Sequence, residues 1–181
     1  MALSLAHTLF FLLLLLPTFV VAQTNGKITV GDSLSTTDNS SWVSPSGDFA
    51  FGFRQLHGSH FFLLSIWYNK IPDRTIVWYA NGVKPAPRGS KVVLTAVRGL
   101  VLTGPQGKEL WTSFDQSRTG VVVSGVMNDT GNFVLEDSSL DKLWESFQYP
   151  TDTMLPKQIM EREGSFLPDS QRPTSPEEGS S

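Results

Sequence analysis

The chain repeats itself. Gly99-Leu-Val-Leu-Thr-Gly-Pro-Gln-Gly-Lys-Glu-Leu-Trp-Thr-Ser113 returns as Asn132-Phe-Val-Leu-Glu-Asp-Ser-Ser-Leu-Asp-Lys-Leu-Trp-Glu-Ser146 at a constant offset of 33 residues. Val101 falls on Val134, Leu102 on Leu135, Leu110 on Leu143, Trp111 on Trp144, Ser113 on Ser146 and Phe114 on Phe147. Self-similarity at this period is the signature of stacked or radially arranged units. Each copy is a short apolar run, a polar turn and a second apolar run ending in Trp, which reads as a β-hairpin. A lone hairpin cannot bury its apolar face, so the copies must pack on one another.

The rest of the chain has the same character. Residues 27–34 form a short strand candidate, and residues 42–53 alternate around the turn signal Pro45-Ser-Gly47. Phe49, Phe51 and Phe53 share one face of a period-two strand. Apolar runs follow at 61–68, 75–80, 91–95, 99–102, 108–112 and 120–124, before the second hairpin copy. Short runs separated by frequent turn signals describe an all-β domain. No window of useful length has helical periodicity.

The two ends differ from this body. Residues 9–16 are unbroken apolar sequence, Pro17 follows, and Val20-Val-Ala22 offers small residues for cleavage. Residues 1–22 therefore read as a secretory signal peptide, although no Lys or Arg precedes the apolar run. The competing membrane anchor is disfavoured: residues 9–22 number 14, short of the roughly 20 of a spanning helix. After Pro156 the sequence becomes polar and Pro-rich, and residues 159–181 are predicted to be disordered for lack of apolar area. The formal charge of −3 argues against nucleic acid, which selects a basic face. There is no cysteine, so a secreted domain of this kind depends on its apolar core. Two sequons, Asn39-Ser-Ser41 and Asn128-Asp-Thr130, fit a glycosylated secretory product.

Catalytic and metal constellations are sparse. His57 and His60 share one turn, with no third ligand beside them, and read as a polar loop. Glu136, Asp137 and Asp141 offer paired carboxylates, but a solvated turn explains them more simply. No cofactor motif is present. What remains is a recognition surface. On an extended strand Asn128, Thr130, Asn132, Val134 and Glu136 point to one side. Short polar groups around one apolar contact can grip sugar hydroxyls, although an ordinary exposed strand face has the same spacing.

Five stretches carry a resemblance. They are residues 42–53 (Trp-Val-Ser-Pro-Ser-Gly-Asp-Phe-Ala-Phe-Gly-Phe), 66–72 (Ile-Trp-Tyr-Asn-Lys-Ile-Pro), 75–81 (Thr-Ile-Val-Trp-Tyr-Ala-Asn), 129–137 (Asp-Thr-Gly-Asn-Phe-Val-Leu-Glu-Asp) and 143–156 (Leu-Trp-Glu-Ser-Phe-Gln-Tyr-Pro-Thr-Asp-Thr-Met-Leu-Pro). Through them the chain resembles the bulb-type, mannose-binding lectin domain of plant G-type lectin S-receptor-like serine/threonine kinases. The resemblance covers most of residues 27–158 and implies a β-prism II fold, three antiparallel sheets about a pseudo-threefold axis. It implies that inward Trp residues fill the axis: Trp111 and Trp144 as the repeat pair, with Trp67 or Trp78 completing the set. A more divergent third copy is expected to begin around residues 44–52.

The family's sugar motif is Gln-x-Asp-x-Asn-x-Val-x-Tyr, one per repeat. Its best copy here has Asn128, Thr130, Asn132, Val134 and Glu136, keeping only Asn132 and Val134. A second has Thr95, Val97, Gly99, Val101 and Thr103, and a first is assigned to Ser44, Ser46, Asp48, Ala50 and Gly52. A millimolar site has about 4 kcal/mol in all, and losing charged and neutral hydrogen bonds of roughly 0.5–3 kcal/mol each removes most of it. The expectation is a secreted, non-catalytic module with degenerate mannose sites and no cofactor or metal. Its partner is a glycan, bound weakly or not at all at these positions, or a protein surface. A homodimer is implied by resemblance, and membrane association is not expected once the leader is cleaved. The alternative is a truncated fragment of a membrane receptor kinase, since the family's kinase and spanning segments are not in this sequence.

Overall fold

The computed structural model describes residues 26–114 and 120–151. The predicted leader (1–22), the predicted tail (159–181) and residues 152–158 of the predicted domain lie outside them. The described residues form β1 (Lys27–Thr29), β2 (Ser33–Ser35), β3 (Ser41–Val43), β4 (Phe49–Gln55), β5 (Phe61–Tyr68), β6 (Ile76–Tyr79), β7 (Ala86–Pro87), β8 (Lys91–Thr95), β9 (Gly99–Thr103), β10 (Glu109–Thr112), β11 (Ser124–Met127), β12 (Phe133–Glu136) and β13 (Lys142–Glu145), then one 3-10 turn at Ser146–Gln148. All pairings are antiparallel, in three sheets ordered β3-β4-β5-β6, β10-β9-β8-β2 and β1-β11-β12-β13, with β7 also pairing β5. The fold is all-β, as the turn spacing and the repeat predicted.

Each sheet holds one hairpin that sends a Trp to the axis: β5–β6, β9–β10 and β12–β13. Ile66 faces Trp78, Leu102 faces Trp111 and Leu135 faces Trp144. In all three hairpins the register shifts beside that pair. One extra residue, Val77, Leu110 or Leu143, precedes each Trp. Such bulges bend and twist a strand locally. The three indoles meet edge to face at the axis, with centroid separations of 6.3 Å (Trp78–Trp111), 5.9 Å (Trp78–Trp144) and 6.2 Å (Trp111–Trp144), and 72° between planes in each pair. This arrangement suits the charge distribution of aromatic rings. Trp78, not Trp67, completes the axis. Trp67 is buried on the opposite face of β5, because adjacent strand residues point to opposite sides.

A second aromatic column joins the first-repeat sheet to the third. Trp42 stacks on Phe51 at 5.5 Å, Phe51 lies 4.5 Å from Phe133, and Phe51 reaches Trp78 at 6.4 Å. The alternation Phe49, Phe51, Phe53 supplies this inward face. Backbone donors beside the axis are satisfied in parallel ways. Leu100 N–H donates to Ser113 Oγ (2.9 Å) and Phe133 N–H to Ser146 Oγ (3.0 Å), while in the first repeat Leu64 N–H donates to Asn81 Oδ1 (2.7 Å).

The single strand predicted for residues 27–34 is two strands in two sheets. Asp32 accepts from Thr29 N–H (2.8 Å) and Thr29 Oγ1 (2.9 Å), and Gly31 takes φ +100°, so the chain turns sharply between them. Aspartate and glycine at those places are turn chemistry. β1 then completes the third-repeat sheet and β2 the second. The strand predicted at 120–124 is displaced to Ser124–Met127. Its lead-in pairs only singly: Val122 N–H reaches Ala96 O (2.8 Å) and Val123 N–H reaches Glu136 O (2.9 Å). After β13 the chain crosses to the first-repeat sheet. Trp78 Nε1 donates to Tyr149 O (2.6 Å), Tyr79 N–H donates to Thr151 Oγ1 (2.9 Å), and the Tyr149 ring stacks on Trp144 at 5.9 Å.

Candidate functional site

The strand facing each Trp strand carries the motif positions: β5, β9 and β12. Register equates Leu63, Gly99 and Asn132; Ser65, Val101 and Val134; and Trp67, Thr103 and Glu136. The first copy therefore runs through Ser59, Phe61, Leu63, Ser65 and Trp67. Its assignment to Ser44, Ser46, Asp48, Ala50 and Gly52 is corrected. Those residues lie on the β3–β4 turn and on β4, one strand too early, and the aromatic-rich β4 masked the divergence of β5.

In the third repeat the structure places Val134 and Glu136 along the outer side of β12, with Asn132 immediately before the strand. Asn128 and Thr130 sit in the preceding turn, closed by Asn128 N–H to Asn132 O (3.0 Å) and Gly131 N–H to Asn128 O (3.1 Å). Asn132 is only 6% exposed. Its Nδ2 donates to Glu145 Oε2 (2.7 Å), and its Oδ1 accepts from Ser146 Oγ (3.1 Å) and Phe147 N–H (3.2 Å). An amide oxygen has two lone pairs and the nitrogen two hydrogens, so among the described residues a single N–H is left uncommitted. Val134 is 1% exposed and offers no apolar platform to a ligand. Burial alone would raise the Glu145 carboxyl, but hydrogen bonds from Asn132 and Lys142, the Lys142 charge and Gln148 together hold it below the ordinary glutamate value. Asp129, inside the second sequon, accepts from Ser46 N–H (2.7 Å) and clamps this turn to the β3–β4 turn. The Ser46 hydroxyl and backbone bonds hold its carboxyl below the usual aspartate range.

The first-repeat groove is filled by the protein itself. A methyl group at Gly52 would stand 3.2 Å from Trp67 Cη2, so the indole lies across the glycine. The Arg54 guanidinium covers that ring at 5.6 Å, a cation–π contact. Trp67 is 3% exposed. The Ser65 hydroxyl and the Trp67 Nε1 are buried and, among the described residues, have no hydrogen-bond partner. In the second-repeat groove Gly99 brings no side chain, Thr95 Oγ1 donates to Gly99 O (2.9 Å) and Thr103 Oγ1 to Lys91 O (3.3 Å). Arg98 and Glu109 pair across its rim.

The other sequence candidates are local. Asp137 Oδ1 accepts from Ser139 N–H (2.8 Å) and Asp141 N–H (3.0 Å), so this carboxylate organises the β12–β13 turn. His57 and His60 line an open depression of about 350 Å³ on the β4–β5 turn. Among the described residues no three His, Cys, Asp or Glu side chains group to hold a metal, and no helix is long and apolar enough to cross a membrane. Sequence reasoning missed Glu145, Arg54 and the role of Trp67. The signal for the last was present: Trp78, Trp111 and Trp144 are evenly spaced by 33 residues, and Trp67 is not in that series.

The family model described as D-mannose binding lectin matches residues 75–167, just over half of the chain. The G-type lectin S-receptor-like serine/threonine-protein kinase RLK1 of Arabidopsis thaliana is 48% identical over 165 residues, covering 83% of this chain and 20% of that protein. The G-type lectin S-receptor-like serine/threonine-protein kinase LECRK1 of Oryza sativa subsp. indica is 42% identical over 163 residues, covering 86% and 20%. The chain thus spans about a fifth of the length of these relatives. Among solved structures, a monomeric monocot mannose-binding lectin from Gastrodia elata superposes with TM-score 0.48 at 19% identity, covering 66% of this chain and 94% of that one. A Japanese Marasmius oreades lectin superposes with TM-score 0.49 at 15% identity, covering 66% and 88%. On the family match, with its repeat-borne grooves, the chain belongs to the D-mannose binding, bulb-type lectin family.

Proposed function

We propose that this chain is a non-catalytic, secreted recognition module whose inherited mannose grooves have lost their ligand. The observation that carries this reading is the state of Asn132, whose amide oxygen is doubly bonded within the fold and whose nitrogen is held by Glu145. A free-sugar site of millimolar strength has about 4 kcal/mol to distribute over its contacts. Breaking internal hydrogen bonds at Asn132 to make new ones cancels much of that. The sealed Val134 and the occupied first groove point the same way. Recognition then rests on another glycan or on a protein surface.

Calorimetric titration with free mannose, beside a glycan array, tests this. The expected result is no saturable heat with mannose. Millimolar mannose binding that is abolished by Asn132→Ala in a folded variant would refute it. A second reading is favoured by the 48% and 42% identities to receptor kinases: the module serves as the ligand-sensing part of such a receptor. A transcript joining this sequence to a kinase region would support that reading.

A further inference from the structure

We infer that Asn39 carries an N-linked glycan that stands beside the open edge of the first-repeat sheet. The inference rests on the secretory reading above. Asn39 leads the sequon Asn39-Ser40-Ser41 and is exposed in an irregular segment between β2 and β3. The polar groups around it are satisfied without it: Ser40 N–H (3.2 Å) and Ser40 Oγ (2.6 Å) both donate to Asp38 Oδ1, and Ser35 Oγ bonds Thr37 Oγ1 (2.8 Å). A sugar on Nδ2 therefore displaces no internal bond. The segment leads directly into β3, which pairs with β4 on one side and, among the described residues, with nothing on the other. An unpaired strand edge is a template for intermolecular pairing, and a bulky, solvated glycan next to it blocks that approach.

The second sequon is placed differently. Asn128 is half-buried at the head of a closed turn, and the Asp129 that follows is clamped to Ser46. A glycan there would crowd both the turn and the clamp, so Asn128 stays unmodified. The chemistry at Asn39 is a transfer from a polyprenyl-pyrophosphate-linked oligosaccharide. Nδ2 forms a bond to sugar C1, the C1–oxygen bond to the pyrophosphate breaks, the lipid pyrophosphate leaves with the electron pair, and the amide loses one proton.

The full chain would be expressed in a eukaryotic secretory host, in one arm behind its own first residues and in another behind a host signal sequence. The product would be mapped by mass spectrometry before and after enzymatic deglycosylation. Modification at Asn39 in both arms, lost in Asn39→Gln and Ser41→Ala and unchanged in Asn128→Gln, supports the proposal. Modification only behind the host signal supports the site and removes the secretory reading. An unmodified Asn39 in secreted protein from both arms overturns it, as does a glycan found at Asn128. The shielding role is read by sedimentation: deglycosylated protein should self-associate at concentrations where glycosylated protein does not, and equal behaviour would refute that role.

Discussion

At the axis the three repeats agree, whereas their outer groove positions share only the valine at 101 and 134. Inside, each repeat supplies one indole, one bulge and one opposing aliphatic residue, and the three indole contacts differ by only a few tenths of an ångström. Outside, one groove is filled by Trp67 under Arg54, one has Gly99 where the others carry a side chain, and one is knotted around Asn132 and Glu145. The difference follows from what each region must satisfy. Interior positions are constrained by each other through close packing. Under the proposed loss of sugar binding, each groove is constrained only by its own strand, and its polar groups turn to internal partners.

The comparison is broken most severely at the axis. Trp144→Ala should cost about 3–5 kcal/mol, measured by denaturant unfolding, which is much of a typical domain stability of roughly 5–15 kcal/mol. A loss under about 1 kcal/mol would mean that the indoles do not hold the sheets together. Next is Gly99→Ala. Its φ is +62°, and an added Cβ would clash with Ser113 Oγ and meet Leu135 Cδ1 at 2.7 Å, so overpacking of about 1–3 kcal/mol is expected. Substituting Gly58, which has φ +68° but open space around it, isolates the contribution of backbone strain. Ser146→Ala removes the acceptor of Phe133 N–H and a donor to Asn132. Leaving a buried N–H unpaired should cost about 1–2 kcal/mol, and amide exchange at Phe133 should accelerate.

The smallest effect is on pH dependence. Glu145 is held below its ordinary value of 4.5 in the folded state. Its stabilising contribution is therefore present above that pH and is lost as pH falls through the lower folded value. Thermal unfolding midpoints of Glu145→Gln should vary less than those of the native chain below the ordinary glutamate range. Asp48 and Asp129 are also held low, so some acid sensitivity persists. Identical acid profiles would mean that the Asn132–Glu145 bond is not maintained in solution.

The interior was legible in the sequence because its constraints act between residues of the same type at a fixed interval. The hairpins at 99–113 and 132–146 follow from the offset alone, and the same interval carried one step back from Trp111 reaches the third axial indole, Trp78. The first repeat was not legible. Ser65 and Trp67 stand where Val101 and Thr103 stand in the next copy, and the loop between β5 and β6 is longer, so identity and spacing fail together. The splitting of residues 27–34 was obscured because a β-branched, alternating run hides a turn held by one Asp and one Gly. The candidate site was readable as a set of positions on β12. That Asn132 is committed to Glu145 and Ser146 was not readable, since it depends on which side chains the β12–β13 register brings together.

The central claim is that the third-repeat groove keeps the family's Asn and Val as structural residues with no role in sugar binding. The most direct measurement follows the Asn132 side-chain amide and the Val134 methyl signals by NMR as free mannose is raised through the low-millimolar range. Both should remain unshifted, with the Asn132 amide protected from exchange. Saturable shifts at both positions, with faster exchange of that amide, would contradict the account.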